Sequence, residues 1–231
     1  MTRKTLQHSA QLDWIGQDPA EQANGPLTAS QTLQWLQLWM EAGWLRRLDV
    51  ALAAQLLRLD AQVTPALLVA TAVLAQMEGR GHTCLPLQQL LKAPAAWLAW
   101  PAQAVQGEQG LQALWAHMPA TLAAWQQALQ SSVLRRADAP DQGQPLVLGG
   151  SEQDPLLYLR RYAAYEHRVG QGLRTRALDR LAVDEVLAAQ WLSRLFGPPP
   201  QDTDWQRLAC AVALRAPLAV ITGGPGTGKT Y

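Results

Sequence analysis

Cysteine is scarce in this chain: Cys84 and Cys210 are the only two among 231 residues. Two thiols cannot staple a fold of this size, so a disulfide scaffold is excluded and small, buried residues are the expectation for both. Net charge is equally scarce. Nineteen Lys and Arg against eighteen Asp and Glu leave a formal +1 at pH 7, which provides no overall electrostatic footprint for nucleic acid. The opening "MTRKTLQHSAQLDW" carries basic residues with no apolar run behind them, so it does not read as a signal peptide. The longest stretch free of Asp, Glu, Lys and Arg, residues 109–134, is rich in Gln and Ala and interrupted by Pro119, and is no membrane span. There is no internal repeat and no low-complexity tract. With 48% apolar residues the chain can bury a core, and a cytoplasmic protein is expected.

What is present is mostly helical periodicity. After a loose polar segment, residues 1–27, the apolar positions Leu33, Leu36, Met40 and Trp44, then Leu48, Leu52, Leu56 and Leu59, step at three and four. Gly43 marks a break between two helices, and Asp49 is placed to cap the second. Thr64 and Pro65 read as the N-cap and first residue of a helix that is apolar on every side, hence a core helix, ended by Gly79 and Gly81. "HTCLPL" reads as a short extended piece. Further helices follow, broken at Pro94, Pro101 and Pro119. Trp35, Trp39, Trp44, Trp97, Trp100, Trp115 and Trp125 fall in this part, in a neutral, Gln-rich background. Without Lys or Arg beside them they do not read as a base-stacking platform. Seven tryptophans exceed what one small helical core needs, and Trp is enriched at the centres of protein interfaces. Residues 28–134 are therefore expected to form a docking domain with at least one tryptophan as anchor.

Pro, Gly and charge crowd "RRADAPDQGQP", residues 135–145, and mark a boundary. "LVLGG" and "LLYLRRY" flank a polar turn and predict a β-hairpin, so residues 135–161 read as linker and hairpin. From Tyr162 to Leu195 the pattern is helical with a loop near Ala182. Asp204 then caps a short apolar helix that leads into an expected strand, Leu218–Thr222.

The last twelve residues, "VITGGPGTGKTY", match G-x-x-x-x-G-K-[ST] from Gly223 to Thr230. Phosphate oxygens are wrapped by successive backbone N–H groups, so side chains must be absent where the chain passes closest. Gly223, Gly224, Pro225, Gly226, Thr227 and Gly228 supply that wrap, and the following helix N-terminus adds its dipole. Lys229 reaches the β- and γ-phosphates, and the Thr230 hydroxyl ligates Mg²⁺. ATP and Mg²⁺ are the expected cofactors. The fold class is a mainly α N-terminal domain followed by the start of an α/β P-loop (RecA-like) domain, residues 162–231, expected to be cut just after the Walker A loop.

"DWQRLACAVALRAPLAVITGGPGTGKT" resembles the start of the motor domain in superfamily 1 helicases, and "RLDVALAAQLL", "GRGHTCLPL" and "LYLRRYAAYEHRV" are similar to stretches of the RecD family, alpha subunits of exodeoxyribonuclease V. The resemblance spreads over most of the chain from about Leu45, thins over Ala93–Leu134 and is absent from the first thirty or so residues. It implies a 5′-to-3′ ATP-driven DNA motor in double-strand-break repair, with RecB-like and RecC-like partners and the N-terminal domain docked on RecC. It also implies that Gln206 reads the adenine base, which a carboxamide can do by donating to N7 and accepting from the exocyclic amine. Tyr231 departs from the family, which has a second threonine there. The acidic metal-holding, arginine-finger and DNA-gripping groups of the family are expected beyond Tyr231, so this chain alone is expected to be inactive and to touch DNA only through the intact motor. Two other readings stand beside this one: a stand-alone RecD-like helicase, and a non-catalytic docking module with a remnant P-loop.

Overall fold

Thr28 shows how the chain starts its first helix. Its hydroxyl accepts the Gln31 N–H at 3.2 Å, while the Gln31 carboxamide accepts the Thr28 N–H at 2.9 Å. Two donors that a helix N-terminus leaves orphaned are satisfied reciprocally, and α1 runs from Ala29 to Glu41. Gly43, at φ +78°, turns the chain where a break was expected. Helix α2, Arg47–Leu59, begins on Asp49. The Asp49 carboxylate, fully buried, accepts the Arg46 backbone N–H at 2.8 Å and its guanidinium at 2.7 Å. Asp49 thus caps α2 from its third position. The same guanidinium donates to the Ala75 carbonyl and lies where a Cβ on Gly79 would have to be.

The computed structural model describes residues 26–198 and 202–226. They fall into two units, Met1–Leu157 and Tyr158–Tyr231. The centre of the first is α3, Pro65–Gly79, started by Thr64 and Pro65 as expected: the Thr64 hydroxyl accepts the Leu67 N–H at 3.2 Å. Every residue from Ala66 to Met77 is buried. Helices α1 and α2 pack on it. Five short helices follow, α4 (Leu87–Lys92), α5 (Pro94–Leu98), α6 (Ala102–Gln106), α7 (Leu111–Trp115) and α8 (Leu122–Ala128). Pro94 and Pro101 begin helices here as much as they break them, because their missing N–H falls where no intrahelical acceptor exists.

Four short strands form a sheet: β1 (Cys84–Pro86), β2 (Leu134–Arg136), β3 (Leu146–Gly150) and β4 (Pro155–Leu159), in the order β1-β4-β3-β2. β3 and β4 form the expected hairpin, turning at Gly150 with φ +77°, where a Cβ would run into the Asp154 carbonyl. β2 pairs parallel with β3, Leu134 opposite Leu146 and Arg136 opposite Leu148. It takes in Arg135 and Arg136, the first residues of a stretch that reads as linker. Asp60 ties the end of α2 to the approach to β2. Its carboxylate accepts Ser131 Oγ at 2.6 Å, Ser132 Oγ at 2.8 Å and the Ser132 and Gln62 N–H groups. These donors, Ser131 first, hold its pKa down at about 2.

The described residues of the first unit include seven tryptophans. Trp39, Trp100 and Trp125 are buried, Trp35, Trp44, Trp97 and Trp115 half-buried, and none is exposed. Trp39 packs edge-on against Trp100 at 4.9 Å between ring centroids, and its indole N–H donates to the Gln109 carbonyl at 2.7 Å.

The second unit contains α9 (Arg160–Leu178), α10 (Glu185–Phe196) and α11 (Trp205–Leu214), with the break near Ala182 where it was expected. No residue of these three helices is buried. Cys210, expected to be buried, is exposed on α11 for that reason, and Cys84 is half-buried. The strand expected over Leu218–Thr222 does not form. No strand among the described residues pairs with this stretch, and Val220 and Ile221 are exposed. A β-strand is a pairing, and an apolar, β-branched run without a neighbour has no ladder to join. The described residues therefore show the mainly helical part of the expected fold with a small mixed sheet, and no α/β P-loop sheet.

Candidate nucleotide site

The elements that lead into the glycine-rich loop are α10 and α11. Asp204 caps α11 as its sequence position suggests, its carboxylate accepting the Arg207 N–H at 3.0 Å. Gln206 is exposed in the first turn of this helix. From Leu214 the chain runs through Arg215 and Pro217 to Gly223, Gly224, Pro225 and Gly226, all exposed. Gly226 has φ +77° and nothing within 4 Å of the place a Cβ would take. A left-handed residue in a run of bare backbone is what an N–H cradle for an anion requires, and only glycine adopts it freely. Of the expected loop, the described residues thus supply one backbone feature such a cradle uses, the left-handed Gly226. Thr227, Gly228, Lys229 and Thr230 lie outside the described residues, and with them the expected phosphate lysine and Mg²⁺ ligand. Among the described residues no three His, Cys, Asp or Glu side chains gather as a metal site.

Arginines that sequence reasoning passed over hold α11 at both ends. At its start the Arg207 guanidinium donates to the Gly197 carbonyl at 3.0 Å through Nη1 and to Ser193 Oγ at 3.0 Å through Nη2. At its end Arg215 donates to Glu185 at 3.1 Å, and its carbonyl accepts the Leu181 N–H at 3.0 Å. α10 and α11 are thus antiparallel, tied near both ends. One signal of Arg207 was available. A cation in the first turn of a helix opposes the macrodipole, so an arginine there implies another partner.

Between the two helices is a cavity of about 660 Å³, lined by Leu187, Trp191, Leu195, Cys210 and Leu214 among others. Its lining contains no cationic side chain, so it offers nothing to a triphosphate.

The fold and this geometry can be set beside known proteins. Residues 41–158 match the family model described as RecBCD enzyme subunit RecD, N-terminal domain. That match ends one residue past the end of the first unit. A RecBCD enzyme subunit RecD from Haemophilus influenzae is 34% identical over 108 residues, 46% of this chain and 16% of that protein. One from Mycolicibacterium smegmatis is 41% identical over 107 residues, 46% of this chain and 16% of that protein. One from Mycobacterium tuberculosis is 32% identical over 191 residues, 82% of this chain and 27% of that protein. The matches span between a sixth and about a quarter of the length of these relatives. No helix among the described residues is long and apolar enough to cross a membrane.

Proposed function

The chain belongs to the RecD family of RecBCD enzyme subunits, and on that premise we propose that it is the N-terminal part of an ATP-dependent 5′-to-3′ DNA helicase subunit. It acts with RecB-like and RecC-like subunits in the cytoplasm on double-strand breaks. Residues 28–134 dock it to the RecC-like partner, residues 135–161 link, and residues 162–231 open the motor. The half-buried Trp35, Trp44, Trp97 and Trp115 are the candidates for a docking anchor, since Trp39, Trp100 and Trp125 are taken up by the core.

The observation that carries the reading is the left-handed Gly226 in an exposed glycine loop just beyond the helix that bears Gln206. In this reading the backbone of residues 223–228 wraps the phosphates, Lys229 compensates their charge and the Thr230 hydroxyl holds Mg²⁺. Gln206 reads the adenine edge. ATP supplies the free energy for translocation when bound. In a complex whose RecB-like subunit carries an inactivated ATP site, Lys229→Ala should lower the remaining DNA-dependent ATP hydrolysis by at least about a hundredfold while leaving subunit assembly intact, because the charge facing the transferred phosphoryl group is gone. Hydrolysis retained near the wild-type rate by a complex whose other ATPase subunit is inactivated contradicts the motor reading and favours a docking module with a remnant loop.

A further inference from the structure

Gln206 sits between two residues of the α11 first turn, and its neighbour Arg207 is anchored at three points. The Arg207 N–H donates to the Asp204 cap, Nη1 to the Gly197 carbonyl and Nη2 to Ser193 Oγ, each at 3.0 Å. Gly197 and Ser193 belong to the end of α10, whose C-cap is Gly197 itself, at φ +75°. The connection from there to Asp204 runs through Pro198, Pro199 and Pro200. The guanidinium therefore closes the gap between the end of one helix and the start of the next, using two nitrogens at once. A lysine presents its donors from a single point on a flexible stem and lacks the planar fork that sets two nitrogens against two separate acceptors. A rigid first turn matters for base recognition, since a carboxamide discriminates between bases only if its donor and acceptor are held in place.

We propose that Arg207 is a positioning residue for nucleotide selectivity: by tying α11 to the end of α10 it fixes the turn from which Gln206 meets the adenine base. The inference rests on the reading of Gln206 given above. It does not make Arg207 a catalytic residue, because Nη1 and Nη2 donate to Gly197 and Ser193 and the role assigned to it is exerted through Gln206. Loss of the tie loosens base recognition while leaving the phosphate loop its own contacts.

The test is equilibrium binding of ATP and GTP to the full-length protein, measured by displacement of a fluorescent methylanthraniloyl nucleotide. Gln206→Ala should lower the preference for ATP over GTP by about tenfold, the worth of one good bidentate base contact. Arg207→Ala should lower it about three- to tenfold, with GTP affinity unchanged, and the double variant should fall no further than Gln206→Ala alone, because both act through one contact. Arg207→Lys should recover part of the loss. Ser193→Ala, which removes one acceptor and leaves the fold otherwise intact, should shift the ratio about twofold in the same direction. If Gln206→Ala lowers the ratio while Arg207→Ala and Ser193→Ala leave it unchanged, or weaken ATP and GTP equally, the tie is structural only and the inference fails. If Gln206→Ala itself leaves the ratio unchanged, the adenine reading fails and this inference falls with it.

Discussion

Helices α3 and α10 are both apolar in sequence, and the structure treats them in opposite ways. In α3 every residue from Ala66 to Met77 is buried; in α10 none is, and Leu187, Trp191 and Leu195 stand exposed. The difference lies in what surrounds each helix. α3 has α1, α2, β1 and α8 against it, whereas α10 packs on α11. Apolar composition shows what a helix can bury, and neighbours decide what it does bury. The consequence is a division of labour. The first unit is held by side-chain packing, and the described part of the second by caps and arginine ties at helix ends, which are individually weak.

That contrast can be broken by truncation. Leu68→Ala, in the fully buried centre of α3, should destabilise the first unit by about 2–5 kcal/mol, the cost of a core cavity. Leu187→Ala, on exposed α10, should change stability by less than about 0.5 kcal/mol. Urea unfolding followed by circular dichroism and tryptophan fluorescence measures both. Equal costs would mean that α10 has a core of its own.

Acid sharpens the contrast, because Asp60, a carboxylate of the first unit with a clearly depressed pKa, is a tie rather than a core group. Asp60 titrates at about 2 in the folded chain, below the ordinary carboxylate value of about 3.9. A depressed folded pKa stabilises above the unfolded value, and that contribution is lost as pH falls through the folded one. Asp60→Asn should therefore be less stable than the parent at pH 7, and the gap should close between about pH 4 and pH 2. Thermal melts across that range test it, and a gap that stays constant removes Asp60 as the cause.

One modest expected effect is a gain. Ala99 is the one non-glycine residue at positive φ among the described residues, at +50°. Ala99→Gly relieves the left-handed strain of a Cβ by more than its added unfolded-state freedom costs, for a net stabilisation of about 0.5–1 kcal/mol. A loss of stability would show that packing of the Ala99 methyl outweighs the strain.

Local signals in the sequence reach the helices and their ends. Thr64 with Pro65, Gly43, Asp204 and the loop near Ala182 were legible because caps and breaks depend on residues within one turn. The β3–β4 hairpin was legible for the same reason. β2 was not, since three residues have no periodicity and their pairing with Leu146–Leu148 is a tertiary fact. Leu218–Thr222 erred in the other direction, with strand chemistry and no partner. In the candidate site the glycines and Gln206 could be read as a pattern, whereas Arg207 and Arg215 gain their meaning from groups many residues away, Ser193 and Glu185 among them.

Amide hydrogen exchange on the full-length protein, with and without Mg·ATP, tests the division of labour and the nucleotide site together. The account predicts that nucleotide slows exchange over residues 223–230 and in the first turn of α11 around Gln206 and Arg207, while the amides of α3, already slow, do not change. Exchange over 223–230 that is indifferent to Mg·ATP, or protection confined to the first unit, would contradict it.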